Sequence, residues 1–434
     1  MSTHPAAPKP NEDYPLSEVP MGDRKSFWSL AIILLGFTFF TATMFAGGQI
    51  GTAFPFWPDL VLVIFAGNLL LGLYVAVLSH IGFKTGLNTA LLSRFGFGRI
   101  GARLSDLLLG FTQIAWYGWG TATIAVVLLR MAGADPDQSP LMLNGLIVFF
   151  GLAFCLTAYV GYRGLELLSI VAVPAILVLL ALSIVLALRD AGGIAGLASG
   201  EPTTSLGIGA AIAIVFGTFV SGGTQATNWT RFAAKSSHAV GGAFLAFFIG
   251  NGLMVATGAI GALVYQQPDV VDVLVLQGLT LFGIAMLFLN LWTTQDNTIY
   301  NFSVVGCAAF ATPRRRLVTV IGALIGTGLA LMRIDLHLVP FLLALGTFIP
   351  PIGGVIMADF FVRHRGRYPA LATAAIPAFN WPGLAAYAIG CVAGLVSPGV
   401  PPVNAILAAF LAYWLLDRLI GTKIDAVRPE RVDR

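Results

Sequence analysis

The chain has 434 residues, of which 57% are hydrophobic and only 10% carry a charge, and its mean hydropathy is +0.86. A soluble protein of this length and composition would have too few polar residues to cover its surface, so the composition indicates a membrane protein. The formal net charge of +4 does not indicate a nucleic-acid partner, because the basic residues follow membrane topology and would meet anionic lipid.

Hydrophobic stretches of about 20 residues, the length that a helix needs to cross a bilayer, recur along the chain. They predict an all-α polytopic membrane protein with twelve transmembrane helices in a single transmembrane domain, residues 27–420. We expect residues 1–26 to form a disordered cytoplasmic tail and residues 421–434 a second cytoplasmic tail. The predicted spans are residues 27–54, 58–82, 104–131, 141–160, 165–188, 206–230, 239–265, 272–303, 317–333, 336–360, 379–396 and 402–419.

The 24 Lys and Arg residues fall almost entirely on one side of this topology. With the N-terminus inside, only Arg130, Arg189 and Arg333 lie on the outer side. Because cytoplasmic loops are enriched in Lys and Arg, this distribution supports the helix count and predicts that both termini are cytoplasmic. We therefore expect a multi-pass protein of the plasma membrane, which is the bacterial cytoplasmic or inner membrane, in contact with the lipid bilayer.

Glycine and polar residues interrupt two of the predicted spans, at residues 36–48 of the first and 217–228 of the sixth. The two spans lie five apart, so they open two five-helix repeats of opposite orientation, residues 27–190 and 206–362, with 379–420 as two peripheral helices. Paired interruptions in inverted repeats are typical of the central site of a secondary transporter. Small residues also occur where helices simply pack closely, and this alternative stays open.

A third polar cluster, residues 290–297, lies within the eighth span. Burying so many polar groups is costly unless they meet a ligand, an ion or one another. The hydroxyls of Thr293 and Thr294 suit a hard monovalent cation, together with backbone carbonyls of the first helix, or they bond back to carbonyls one turn earlier. Asp296 is a candidate either for a proton relay or for a structural hydrogen-bond acceptor.

Nothing in the sequence indicates an enzyme or a bound cofactor. The three cysteines lie within or beside apolar spans, as packing residues often do, and the histidines show no metal-ligand spacing. A nucleophile–base pair and a phosphate-binding loop are also absent from the sequence pattern. We therefore expect a protein that is not an enzyme and has no cofactor. The expected coupling ion is Na⁺.

Short motifs, in the same order along residues 27–420, resemble those of the nucleobase cation symporter family, in particular its bacterial cytosine permeases. This resemblance implies a leucine-transporter-like fold, made of a five-plus-five inverted repeat and two peripheral helices. The motifs lie at residues 35–40, 67–72, 84–87, 112–116, 169–174, 292–297, 350–356 and 402–405.

The resemblance implies a site for a planar base. Trp116 and Phe219 stand at the positions of the family's stacking pair, whose rings would hold the base between them. Gln113 would hydrogen-bond an edge of the base, and the broken sixth helix would add backbone groups at Gly217 and the hydroxyl of Ser221. The implied sodium ligands are the carbonyls of Gly36, Phe39 and Asn290 and the hydroxyls of Thr293 and Thr294.

Three residues depart from the family pattern, which tends to have Asn, Ser and Asp at the positions of Gln295, Thr218 and Asn228. Thr218 and Gln295 remain candidate substrate-binding residues, and the longer arm of Gln295 leaves the identity of the base open, since polar sites punish such mismatches strongly. Asn228 lies toward the cytoplasmic half of the sixth helix, where a change affects gating or packing.

Together these patterns predict a sodium-coupled symporter that imports a nucleobase, with cytosine as the expected base, by alternating access. The alternatives are a proton-coupled carrier of another purine or pyrimidine-like ring, and a membrane sensor that does not transport. The expected partners are the small-molecule nucleobase and the bilayer, without nucleic acid. The oligomeric state is not set by the sequence, which is compatible with a monomer.

Overall fold

The computed structural model describes residues 13–420, apart from the side chain of Met286. All regular elements in these residues are helical, and the one extended pairing is an isolated bridge between Lys25 and Ala233. The predicted all-α class is therefore confirmed. The predicted tail at residues 421–434 lies outside the described residues.

Twenty α-helices, some continued by short 3₁₀ or π segments, make up the described chain. They are α1 Phe27–Thr38, α2 Thr41–Gly51, α3 Val61–Thr85, α4 Thr89–Phe97, α5 Ala102–Met131, α6 Pro140–Ala153, α7 Cys155–Val160, α8 Tyr162–Asp190, α9 Ile194–Ala198, α10 Ile208–Thr224, α11 Thr227–Thr230, α12 Ser236–Phe244, α13 Asn251–Tyr265, α14 Val270–Leu276, α15 Thr280–Ala309, α16 Arg315–Leu331, α17 Leu338–Phe348, α18 Pro350–Ala358, α19 Trp381–Val396 and α20 Pro401–Ile420.

Helices coincide with all twelve predicted spans, but not all of them are long and apolar enough to cross a membrane. Eight helical segments of the described chain meet that test, and the bent pair α1 and α2 makes a ninth. The other three predicted spans correspond to α15, which carries the polar cluster at residues 290–297, and to the shorter helices α16 and α19. The count of twelve therefore stays a prediction.

Long helices from both predicted repeats pack together in the centre of the fold. The helix α5 lies against α15 and α16, and α10 lies against α3 and α17. Close packing depends on glycine at some contacts: a Cβ atom at Gly47 or Gly51 of α2 would lie 2.2 Å from a backbone oxygen of α13. The last two helices, α19 and α20, pack on each other and on α18.

The first predicted interruption is present as a break between α1 and α2. Phe39 and Phe40 leave helical geometry there, with Phe40 extended at φ −128° and ψ 129°, and the two helices meet at a bend of 54°. The break exposes backbone groups in the centre of the fold, as expected of a helix that lines a site.

The second predicted interruption, residues 217–228, contains a helix break only near its end. Residues 217–223 are helical within α10, and the helix breaks only at Gln225 and Ala226, before the short α11. The glycines there serve close packing: a Cβ atom at Gly217 would lie 2.6 Å from the carbonyl oxygen of Leu342, and one at Gly223 would lie 2.5 Å from Val75. The packing alternative therefore accounts for this run.

The prediction of a disordered tail over residues 1–26 is wrong for residues 13–26, while residues 1–12 lie outside the described chain. Arg231, at the end of α11, is fully buried and donates to the carbonyl oxygens of Asp13 and Tyr14 at 2.6 Å. Asn88 donates to the carbonyl of Pro15 at 2.8 Å. A segment without an apolar run is thus held by side chains of distant helices, which hydropathy does not report.

Candidate functional site

A small buried cavity lies beside the break between α1 and α2, where α5, α10 and α15 meet it. Its volume is about 10 Å³, roughly the room that one water molecule needs, and its lining side chains are buried. The lining residues are Phe37, Phe40, Trp116, Thr218, Phe219, Ser221, Gly222, Thr294 and Thr298. The cavity is therefore enclosed by the same helices that the sequence pattern associated with a central site.

Four aromatic rings line the cavity, in an arrangement that the sequence did not predict. Trp116 and Phe219 both line the cavity, but the ring of Phe40 contacts both of them edge to face, at centroid distances of 5.2 Å and 6.0 Å. Phe37 also lies edge to face with Phe219 at 5.1 Å. Phe40 was missed because its inward orientation follows from the extended backbone at the helix break.

Two hydroxyl groups of α10 add polar character to the cavity. Ser221 accepts a hydrogen bond from Trp116 Nε1 at 3.2 Å, which fixes the indole against α10. The Thr218 hydroxyl donates to the carbonyl of Val215 at 2.7 Å and accepts from Asn251 Nδ2 at 3.0 Å. Gly217, which sequence comparison had placed in the site, is outside the lining and instead faces α17.

A cluster of oxygen atoms adjoins the cavity around Thr294. The Thr294 hydroxyl oxygen lies 3.2 Å from the carbonyl oxygens of Phe39 and Asn290 and 3.3 Å from that of Phe37. The Thr293 hydroxyl lies 2.9 Å from the Asn290 carbonyl oxygen. Both threonine hydroxyls therefore contact a backbone carbonyl oxygen one turn earlier in α15, as one of the two sequence interpretations expected. The Thr294 hydroxyl also contacts carbonyl oxygens of the broken first helix.

The remaining predicted sodium ligand, Gly36, lies beside Thr293 of this cluster and leaves room for Ser169 of α8. A Cβ atom at Gly36 would lie 2.5 Å from Ser169 Oγ and 3.6 Å from Thr293 Cβ. The amide of Asn290 is engaged with α2, where its Oδ1 accepts from the Thr41 hydroxyl at 2.8 Å. Four of the five predicted ligands therefore supply oxygen atoms to one cluster, and Gly36 is its close neighbour. The described residues contain no group of three His, Cys, Asp or Glu side chains that could hold a metal ion.

Gln295 is not among the residues that line the cavity, so its role in substrate binding stays a prediction. Its side-chain amide donates to the carbonyl oxygens of Trp116 and Tyr117 on α5. The amide group occupies space left by Gly120, where a Cβ atom would lie 2.6 Å from Gln295 Cδ. Because Thr294 faces the cavity, the next residue of the helix points about 100° away from it, toward α5.

Gln113 is fully buried but is not among the lining residues. Its Oε1 accepts from Asn301 Nδ2 at 3.4 Å, and its Nε2 has no hydrogen-bond partner among the described residues. Trp116 lies one turn further along α5, so the amide of Gln113 lies close to the cavity without forming its wall.

Asp296, the candidate for a proton relay, is fully buried on α15. It accepts hydrogen bonds from the Thr157 hydroxyl at 2.8 Å and from Asn297 Nδ2 at 3.0 Å. These contacts provide the structural role that the sequence left as one of two alternatives. They also join α15 to α7.

Comparisons with known proteins agree with this architecture. The model of a family described as permease for cytosine/purines, uracil, thiamine, allantoin matches residues 18–416. The chain is 40% identical to the cytosine permease of Escherichia coli K12, with 94% of this chain and 95% of that protein covered. It is 25% identical to the allantoin permease of Bacillus subtilis 168, covering 94% of this chain and 93% of the relative.

Solved structures show the same fold. Mhp1, a nucleobase-cation-symport-1 family transporter in a closed conformation with bromovinylhydantoin bound, matches with a TM-score of 0.81 at 18% identity over 95% of both chains. A Na⁺-coupled sialic acid symporter matches with a TM-score of 0.66 at 13% identity, over 92% of this chain and 91% of that chain. The predicted transporter fold is confirmed. Because the family model matches residues 18–416 and the Escherichia coli cytosine permease is 40% identical over 94% of the chain, the chain belongs to the family of permeases for cytosine/purines, uracil, thiamine and allantoin.

Proposed function

We propose that this protein is a sodium-coupled symporter that imports a nucleobase, with cytosine as the expected substrate, across the bacterial cytoplasmic membrane by alternating access. Both termini lie in the cytoplasm in this proposal. The protein carries out no covalent chemistry and needs no cofactor. The cytosine permease of Escherichia coli, at 40% identity over nearly its full length, supports the choice of base.

One observation carries the proposal: Thr294 belongs both to the cavity and to the oxygen cluster. Its side chain lines the cavity, while its hydroxyl oxygen lies within 3.3 Å of carbonyl oxygens from α1 and α15. A cluster that contains only carbonyl and hydroxyl oxygens suits a hard alkali cation. An ion held there would tie the broken first helix to α15 at the edge of the substrate cavity.

The substrate is proposed to bind between aromatic rings at this cavity, which must widen to admit it. Trp116 and Phe219 are its stacking residues, with Phe40 as a third ring at the helix break. A planar base stacked on such a ring gains about 1–3 kcal/mol. The hydroxyls of Thr218 and Ser221 and the amide of Gln113 are proposed to meet its polar edges, whereas Gly217 and Gln295 support the packing around the site.

Coupling follows from the shared position of the two ligands. Na⁺ would hold the carbonyl of Phe39 and the hydroxyl of Thr294 in place, and this fixes the backbone that carries Phe40 into the cavity. A base that packs on Phe40 favours the same backbone position. Each ligand therefore stabilises the state that binds the other, a reciprocal coupling of about 1–3 kcal/mol in typical systems.

The experiment that tests this proposal is uptake of radiolabelled cytosine into proteoliposomes containing the purified protein. We expect uptake to need an inward sodium gradient and to fail when potassium replaces sodium. Uptake driven by a proton gradient alone would instead support the alternative carrier, for which buried Asp296 is the relevant carboxylate. Binding of cytosine without uptake under any gradient would indicate a sensor.

A further inference from the structure

Residues 13–25 lie across the predicted cytoplasmic side of the fold, and we name this segment the N-terminal strap. Its first residue, Asp13, contacts the starts of two helices. Asp13 Oδ2 accepts from the backbone N–H of Tyr162 in α8 at 3.1 Å and lies 3.6 Å from Arg315 Nε of α16. The carbonyl oxygens of the first two strap residues accept from Arg231, directly after α11, at 2.6 Å. One end of the strap therefore joins three helices that are far apart in the chain.

The rest of the strap contacts α3, α4 and the loop before α19. The carbonyl oxygen of Pro15 accepts from Asn88, the residue before α4, at 2.8 Å. Arg24 donates to a carbonyl oxygen of α3 at 3.0 Å, and Glu18 Oε1 accepts from the N–H of Leu371 at 3.2 Å. The strap thus connects two groups of packed helices, since α3 packs with α10 whereas α16 packs with α5 and α15.

The guanidinium groups that meet the first strap residues are buried. Arg231 is fully buried and Arg315 is 3% exposed. Burying a charged group is strongly unfavourable unless a counter-charge and hydrogen bonds compensate. Among the described residues, Asp13 carries the one carboxylate within 4 Å of Arg315. Gly161, at φ +99°, leaves room for this pair, because a Cβ atom there would clash with both side chains.

The strap lies beyond the cavity along the broken helix α10 and α11. Arg231 follows the cavity residue Gly222 on this helix. The first residue of α4, Thr89, is fully buried against α11, with its hydroxyl oxygen 2.6 Å from that of Thr227. Alternating access requires the cytoplasmic side to open in each cycle. Opening would separate helices that the strap connects, so the strap must leave some of them.

We infer that the N-terminal strap is a latch that keeps the cytoplasmic path closed. Asp13 supplies the counter-charge with which Arg231 and Arg315 can be buried in the closed state. When the path opens, the strap leaves and water replaces the carboxylate around these guanidinium groups. The inference rests on the proposed function, because a latch of this kind needs alternating access. The strap residues contact no substrate, and they set the balance between the closed and inward-open states.

The test measures how fast a water-soluble maleimide labels Thr89→Cys in the purified full-length protein in sodium-free buffer. The three native cysteines are buried, and protein without Thr89→Cys gives their background rate. A thiol at this buried position reacts when the strap side is open, so the rate reports the open population. We expect Asp13→Asn to raise the rate about tenfold or more, because a neutral amide leaves buried cations without a counter-charge. An unchanged rate would overturn the latch.

Two controls distinguish release of the latch from general loosening. Asp417→Asn removes a similarly buried ion pair, because Asp417 lies 2.7 Å from Arg363 and contacts no strap residue. It should leave labelling of Thr89→Cys within about twofold. Ser183→Cys reports on the contact between α8 and α14, where Ser183 is buried, and Asp13→Asn should leave its labelling within about twofold. A tenfold rise at both cysteine positions, or an equal rise with Asp417→Asn, would overturn the inference.

A double variant tests the counter-charge itself. Arg315→Gln removes a cation that Asp13 faces, so the additional effect of Asp13→Asn on labelling should shrink about threefold or more. Equal effects of Asp13→Asn with and without Arg315 would refute the role of the charge. Cytosine uptake by the wild type tests the proposed function separately. If the wild type takes up no base, the proposed function fails, whereas normal uptake with unaltered labelling of the variants defeats only the latch.

Discussion

Replacing the hydroxyl of Thr294 should selectively weaken the sodium dependence of transport. The Thr294→Val variant keeps the shape of the side chain but removes an oxygen that lies 3.2–3.3 Å from three carbonyl oxygens in a fully buried cluster. Removing a contact to a charged group typically costs about 1.5–3 kcal/mol. That corresponds to a sodium affinity about 10- to 150-fold lower.

The assay is initial cytosine uptake by proteoliposomes as a function of external sodium. We expect the sodium concentration at half-maximal rate to rise by this factor in Thr294→Val and to change about threefold or less in Thr294→Ser, which retains the hydroxyl. Thr319→Val is the matched control, since the Thr319 hydroxyl is buried on α16 and donates to the carbonyl of Arg315. An unchanged sodium dependence in Thr294→Val, with wild-type uptake intact, would refute the proposed ion site.

Four further predictions address the base site, packing and topology. Trp116→Ala should lower base affinity about 10- to 150-fold in competition binding, and Trp116→Phe should retain part of it, because stacking needs a ring; equal affinities would contradict the stacking role. Gln295→Asn shortens the side chain that reaches α5, so it should lower the melting temperature and leave the ranking of competing bases unchanged. An altered ranking would show that Gln295 contacts the base. Arg231→Ala removes both bonds to the N-terminal segment, so trypsin should cleave at Arg24 faster than in the wild type, and an equal rate would show that other contacts hold the segment. A reporter at the C-terminus and one within residues 133–140 should lie on opposite sides of the membrane, and finding both on one side would exclude the twelve-span topology.

The sequence by itself determined the class of protein and supplied candidate residues for the site. The length of an apolar stretch is a local property of the sequence, and it predicts a membrane-spanning helix because the bilayer has a known thickness. The distribution of basic residues predicts on which side of the membrane each loop lies. The polar residues Thr293 and Thr294 stand out because an apolar span rarely contains them without a partner. Trp116 and Phe219 came from family resemblance, and the structure places both in the cavity wall.

Only the tertiary structure decided which way these side chains face and where the backbone breaks. Glycines at residues 217–223 looked like an interruption, but contacts with other helices explain them while α10 stays helical. The Phe40 ring lines the cavity because the backbone is extended at that residue. The Gln295 side chain points toward α5, where Gly120 leaves room for its amide group. Residues 13–26 are ordered by Arg231 and other distant side chains. Such outcomes depend on partners far apart in the chain, whereas composition and periodicity describe only neighbours along it.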